Sequence, residues 1–188
     1  MRRPRNQKPG TARRQAAAAA GRAGFTLVEM LVVILIVAIL VSAVFGGLNA
    51  ARQTAWRTRA RDTARQIVHA WNLHLNDYRE FPDAKKFSDA LAEGGYAASA
   101  GNLALLNADG KIYLELAEED REHGLKDKWG HPMGFNIDFD YDGKVANPAP
   151  EAFETGKAVK EMEQVLATSI AWSKGPNPAI KKKWVVQW

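Results

Sequence analysis

Phe25–Ala51 reads FTLVEMLVVILIVAILVSAVFGGLNAA, and its 22 residues from Met30 to Ala51 carry no charge. A helix rising 1.5 Å per residue needs about 20 apolar residues to cross the hydrocarbon of a bilayer. The run therefore predicts a transmembrane helix. A buried helix in a soluble fold is the poorer reading, since only about 140 residues follow to surround it. Beyond the run, Trp56, Ala60, Ala64, Ile67, Val68, Trp71, Leu75 and Tyr78 recur at spacings of three and four. That is one apolar stripe on a helix. Arg52, Arg57, Arg59, Arg61, Asp62 and Arg65 take its other faces. The spacing predicts one helix from Phe25 to about Tyr78, on the order of 80 Å long. Gly46 and Gly47 are its expected weak point, each costing roughly 1 kcal/mol against alanine. Pro82 stops it.

Upstream the character differs. Residues 1–24 contain seven Arg and Lys and no acid, with an alanine run at Ala16–Ala20 and no apolar period. They read as a basic leader rather than part of a packed core. Of the 26 Lys and Arg in the chain, the other 19 face 21 Asp and Glu, so the body is slightly acidic. The basic balance of the whole chain thus gives no support to nucleic-acid binding by the body. The chain has no cysteine. A disulfide framework, a thiolate zinc site and a cysteine nucleophile are excluded.

After Pro82, Lys85–Leu91 is expected to form a short helix, and Gly94, Gly95, Gly101 and Asn102 to mark loop. A turn at Asn107–Gly110 leads into KIYLEL, read as a strand alternating Ile112, Leu114 and Leu116. Glu118–Asp127 reads as a polar connection. GFNIDFDY, residues 134–141, alternates Phe135, Ile137, Phe139 and Tyr141 against Asn136, Asp138 and Asp140 and is the clearest strand pattern. Asp142-Gly143 reads as its hairpin turn. Pro148, Pro150 and Gly156 break the next stretch, Val165–Trp172 reads as a strand, and the final KKKWVVQW as an edge strand. One long helix followed by short strands makes the fold class α+β.

Candidate chemistry is sparse. His69 and His74 are five apart and leave a helix in different directions. His123 and His131 have no partner at catalytic spacing, and no phosphate loop or Gly-x-Ser-x-Gly occurs. No enzymatic activity is expected. Asp138-Phe-Asp140-Tyr-Asp142-Gly143 matches the first half of a calcium-binding loop of the EF-hand type, but its twelfth position is Ala149, where a bidentate Glu belongs. Read as a strand, the same segment turns Asp138 and Asp140 to water. On that reading no cofactor is expected, and the head is as stable in chelator as in calcium. Glu29 stands out because a carboxylate inside a spanning segment is costly and needs a partner.

Gly24-Phe25-Thr-Leu-Val-Glu29, after a basic leader and before an apolar run, resembles the signal of type IV pilins and pseudopilins. The resemblance implies that a prepilin peptidase cuts between Gly24 and Phe25 and methylates the new amine of Phe25. Glu29 would then pair with that amine, either within its own helix at i, i+4 or, as the resemblance implies for assembly, on a neighbouring subunit. An ordinary secretory signal cut at Val41-Ser42-Ala43 is the rival, and it leaves Glu29 without a role. The seven leader bases place the N-terminus in the cytoplasm. Arg52, Arg57, Arg59, Arg61 and Arg65 argue the other way, and the resemblance decides the orientation.

The rest of the chain is similar to the major pseudopilin of type II secretion systems. The similar segments are Tyr78-Arg-Glu-Phe-Pro82, Lys111-Ile-Tyr-Leu-Glu115, Asp127-Lys-Trp-Gly-His-Pro132 and Trp172-Ser-Lys-Gly-Pro-Asn177. Family members commonly have Pro at Lys128 and Asn at His131. Gly130 and Pro132 are expected to turn the chain into the strand at Phe135, with Trp129 plugging the gap between helix and sheet. The resemblance implies a pilin-like α+β fold, a long N-terminal helix packed on a small antiparallel sheet, with a leader at 1–24, a transmembrane half at 25–51 and a periplasmic head at 52–188. It also implies self-assembly with other pseudopilins into a periplasmic fibre, and an inner-membrane assembly platform driven by its own ATPase. It further implies calcium in a C-terminal loop, yet the loop after Gly175 has no acid. The other readings are a minor type IV pilin for adhesion or DNA uptake, and a membrane-tethered periplasmic binding module that does not polymerise.

Overall fold

The computed structural model describes residues 24–152 and 163–188. Residues 1–23 of the expected leader and the break expected at Gly156 lie outside them. Helix α1 runs over Leu27–Tyr78, 52 residues, and continues through Gly46 and Gly47. The chain divides into two units, one ending at Phe45 and the other spanning Gly46–Trp188. In the first unit the apolar side chains of α1 are exposed all round, from Leu27 at 81% to Phe45 at 62%.

In the second unit α1 has one buried face. Ala60, Ala64, Ile67, Val68 and Trp71, on the stripe that the spacing predicts, are enclosed there, together with Ala70 from outside it. The face packs on a four-stranded antiparallel sheet ordered β1 (Tyr96–Ala97), β2 (Gly134–Ile137), β5 (Ser169–Ser173) and β6 (Val185–Gln187). A separate antiparallel pair joins β3 (Lys144–Ala146) to β4 (Gln164–Leu166). Trp71 is the hub on the helix side. Its ring stacks on Phe135 at 5.4 Å and lies within 6.2 Å of the rings of Phe81 and Phe87. The sheet's other face packs Ile170, Trp172 and Val186 against Val145, Val165 and Trp184. Strand β5 is buried at all five positions because it lies between these two clusters. The α+β class, a long helix on a small antiparallel sheet, is the one the sequence implies.

Several local expectations are corrected. Lys85–Leu91 is no helix: a 3-10 turn at Ala84–Lys86, capped by the Asp83 side chain, is followed by extended Phe87. Gly101 and Asn102 belong to α2 (Ala100–Leu106). Ser99 caps that helix, and the buried Asn102 amide bonds Ser88 N and O and Ala97 O, so a polar residue sits satisfied in the core. KIYLEL forms no strand. The Asn107 side chain accepts from the N–H groups of Tyr113 and Leu114 and donates to Leu114 O, taking the bonds a neighbouring strand would supply. The polar connection holds α3 (Glu118–His123), with three acids in its first turn and Gly124 closing it at φ 75°. Such acids favour a helix N-terminus. Val165–Trp172 is split into β4 and β5 by a turn at Ala167 and Thr168.

Trp129 does not plug the gap between helix and sheet. It is half-buried on α1, edge-on to Trp56 at 5.9 Å, with its indole N–H donating to Gln53. Asp127 is the residue that organises this turn. Its Oδ1 accepts from the N–H groups of Trp129 and His131 at 3.0 and 2.9 Å, and its Oδ2 from the Ser173 hydroxyl at 2.7 Å. The turn is thereby tied to the end of β5.

His74 is buried beside Trp71 and donates from Nδ1 to Leu106 O at 3.2 Å. Burial holds its imidazole below the usual range, although that carbonyl and the nearby Asp109 and Asp77 act the other way. The unfolded chain, titrating near about 6.5, then binds a proton that the folded chain refuses. Stability is therefore lost as pH falls through that value toward the lower folded one. Denaturant titrations at pH 7 and pH 5 should show this loss, and His74→Gln, which keeps a donor for Leu106, should show less of it.

Trp172 sets a second test. A Cβ on its cross-strand partner Gly134 would lie 2.2 Å from the indole, whereas one on Gly101 would meet nothing nearer than Ser88 Oγ at 3.7 Å. Gly134→Ala should destabilise by about 1–3 kcal/mol through overpacking. Gly101→Ala, the same change inside a helix, should stabilise by about 0.5–1 kcal/mol. Chemical denaturation of both variants checks the opposite signs.

Candidate functional site

Gly24, Phe25 and Thr26 precede the first residue of α1 and are exposed. A Cβ built on Gly24 meets nothing within 4 Å. The small residue there answers no packing demand of the fold, and the peptide bond between Gly24 and Phe25 is open to approach.

Glu29 lies in the first turn and is satisfied locally. Its Oε2 accepts from Thr26 N and from Thr26 Oγ1, both at 2.8 Å, while its own N–H donates to Thr26 Oγ1 at 3.2 Å. This is a capping box, in which residue and cap satisfy each other's donors. Thr-x-x-Glu before an apolar run is legible in the sequence as such a signal. The carboxylate starts the helix through Thr26 and stands one turn from Phe25. Cutting before Phe25 removes neither Thr26 N–H nor its hydroxyl, so the cap survives in a trimmed chain and an amine is added beside it. After Glu29 the next charged residue is Arg52, about 34 Å along a helix at 1.5 Å per residue.

The acidic segment stands apart from this terminus. Strand β2 ends at Ile137, and Asp138–Gly143 is a loop. The strand reading is corrected: Asp138 is buried rather than turned to water. Asp142-Gly143 does turn, with Gly143 at φ 78°, but it leads into β3, which pairs with β4 and not back onto β2. One carboxylate oxygen from each of Asp138, Asp140 and Asp142 lies within 4.8 Å of the other two. Burial pushes the Asp138 carboxyl up, as do the neighbouring Asp140 and Asp142, against the Gly143 N–H that favours its charge. The C-terminal loop is a poor fit for a cation. From Gly175 to Lys183 it offers no carboxylate and carries Lys181, Lys182 and Lys183 in one 3-10 turn.

The capping box separates shape from charge. Glutamine serves at this capping position as glutamate does, so Glu29→Gln should leave the Glu29 amide protected in detergent micelles. Thr26→Ala, which keeps the charge, should cost about 1 kcal/mol of helix start and speed exchange of that amide about fivefold. Amide hydrogen exchange by NMR reads both.

The family described as the prokaryotic N-terminal methylation motif matches residues 20–45. No curated protein and no solved structure matches the chain. The matched stretch holds Gly24, Phe25, Thr26 and Glu29 and the exposed apolar start of α1. It implies processing by prepilin peptidase and assembly with other pilin-like subunits, and the apolar helix fits anchoring in a membrane. The chain carries a type IV pilin-like prepilin signal.

Proposed function

We propose that the chain is a structural subunit of a pseudopilus serving type II protein secretion. It is made as a precursor in the inner membrane, cut between Gly24 and Phe25, methylated at Phe25, and assembled into a fibre with its head in the periplasm. The observation that carries this reading is the prepilin signal placed at the start of a helix that exposes apolar side chains on every side from Leu27 to Phe45. An apolar cylinder of that kind needs lipid before assembly and other such helices after it. The leader's bases keep the N-terminus cytoplasmic, and the head follows on the far side. Support for the secretion type comes from the order of the head segments that resemble the major pseudopilin, among them the Asp127–Pro132 turn, which is tied to Ser173. Mechanical work comes from a partner ATPase acting through an assembly platform.

Within the fibre Glu29 is carried into an apolar bundle, where a charge needs a partner. The amine of Phe25 on an adjacent subunit supplies it, and the same contact repeats at every subunit.

Mass spectrometry of the membrane fraction should find a chain beginning at a methylated Phe25, and a start at Val44 would favour an ordinary secretory signal instead. Gly24→Leu should accumulate uncut precursor in the membrane. Glu29→Gln, which keeps the helix cap, should insert and be cut normally but form no fibres and support no secretion. A Glu29→Gln variant that assembles like the parent would remove the intersubunit pair from the account.

A further inference from the structure

Three acids at alternate positions crowd the loop after β2. Of these, Asp138 is 4% exposed. Its Oδ2 accepts from Gly143 N at 2.8 Å, while its buried Oδ1 has no hydrogen-bond partner. An ionised oxygen left bare in a protein interior is costly, and more so with like charges beside it. The Asp140 carboxylate reaches that of Asp138, and Asp142 adds a third negative charge. Among the described residues, no ion pair brings a base to any of the three. The loop is nonetheless held in place. Tyr141 stacks on Phe81 at 6.0 Å and accepts at its hydroxyl from Phe81 N, and Phe139 packs on Phe87 and Tyr96. Aromatic anchors therefore alternate with the acids and press them together.

We propose that Asp138, Asp140 and Asp142 form a calcium site, each giving one carboxylate oxygen to the ion. Calcium takes oxygen ligands at 2.3–2.6 Å, so two ligands of one ion lie at most about 4.6–5.2 Å apart; the three oxygens, within 4.8 Å of one another, meet that limit. Magnesium holds its ligands closer and gives up water reluctantly, which suits an exposed loop of fixed carboxylates less well. A bound calcium ion supplies the missing partner of Asp138 Oδ1 and neutralises the cluster. Ala149 stands where an EF-hand has its bidentate Glu. Water and backbone oxygens complete the shell, and the site is a weak one, in the range of extracellular calcium modules. Because Tyr141 bridges the loop to Phe81, three residues past the end of α1, the ion also stiffens the place where the chain leaves the long helix.

The test uses the full chain in detergent, stripped with chelator and titrated with calcium chloride by calorimetry. One saturable site with a dissociation constant of about 0.1–1 mM is expected, with a melting temperature raised by several degrees near saturation. Asp140→Asn, at an exposed position, should weaken binding at least about tenfold, the loss of one ligand charge. Asp138→Asn should do the same, and Glu115→Gln should change nothing. Absence of any calcium-dependent heat or melting shift up to about 10 mM, ten times the weak end of such sites, would overturn the proposal. So would binding that Asp140→Asn leaves intact. If calcium has no effect and Asp138→Asn alone stabilises the chain, Asp138 is a protonated buried acid and no ion is held there.

Discussion

The side-chain pattern of one long helix changes along its length, and the rest of the structure answers to that change. From Leu27 to Phe45 its side chains are apolar and exposed on every side; from Ala60 onward a single face is buried against a sheet. The two regimes follow from side-chain periodicity. A run without charge has no preferred face and satisfies its backbone internally, as a bilayer requires. A stripe at spacings of three and four has one preferred face and needs a protein partner. Glu29 sits at the head of the first regime and is tolerable there because Thr26 pairs with it. The same residue begins the helix through its bonds to Thr26.

The head is built to give that helix a partner with few residues. Trp71 reaches from α1 into a ring of aromatics and Trp172 fills the opposite face of the sheet over Gly134. Between them, β5 is enclosed on both sides. Strands of two to five residues make a sheet this small, and much of the remaining chain is secured by side chains that serve the backbone. Asn102, Asn107 and Asp127 each hold two or more partners in a loop or at its edge. A buried polar side chain whose bonds are all met adds specificity at little cost.

Those side chains also explain which parts of the structure could be read from the sequence. The helix, its buried stripe, its end before Pro82 and the α+β class were legible because they rest on long periodic patterns. The segment KIYLEL has a strand's alternation, yet Asn107 from outside it claims the backbone bonds, and alternation carries no trace of that. GFNIDFDY likewise alternates to its end, but pairing stops at Ile137. The aromatic anchors Phe139 and Tyr141 and the acids between them belong to a loop. At the functional terminus, Gly24, Phe25 and Glu29 were visible as a motif. The cap formed by Thr26 is equally legible in its spacing, Thr-x-x-Glu before an apolar run. The convergence of three aspartates on a buried one depends on where the strand ends, which the alternation hid.

The central claim is that the start of α1 lives in lipid and the later part does not. The chain has no cysteine, so a single introduced thiol reports on one position at a time. Native membranes carrying Leu31→Cys, Val37→Cys, Val44→Cys, Arg57→Cys or Arg61→Cys can be treated with a membrane-impermeant maleimide applied to both sides. The account predicts that the thiols at 31, 37 and 44 stay unlabelled until detergent is added, while those at 57 and 61 react at once. Equal labelling at all five positions in intact membranes would contradict it.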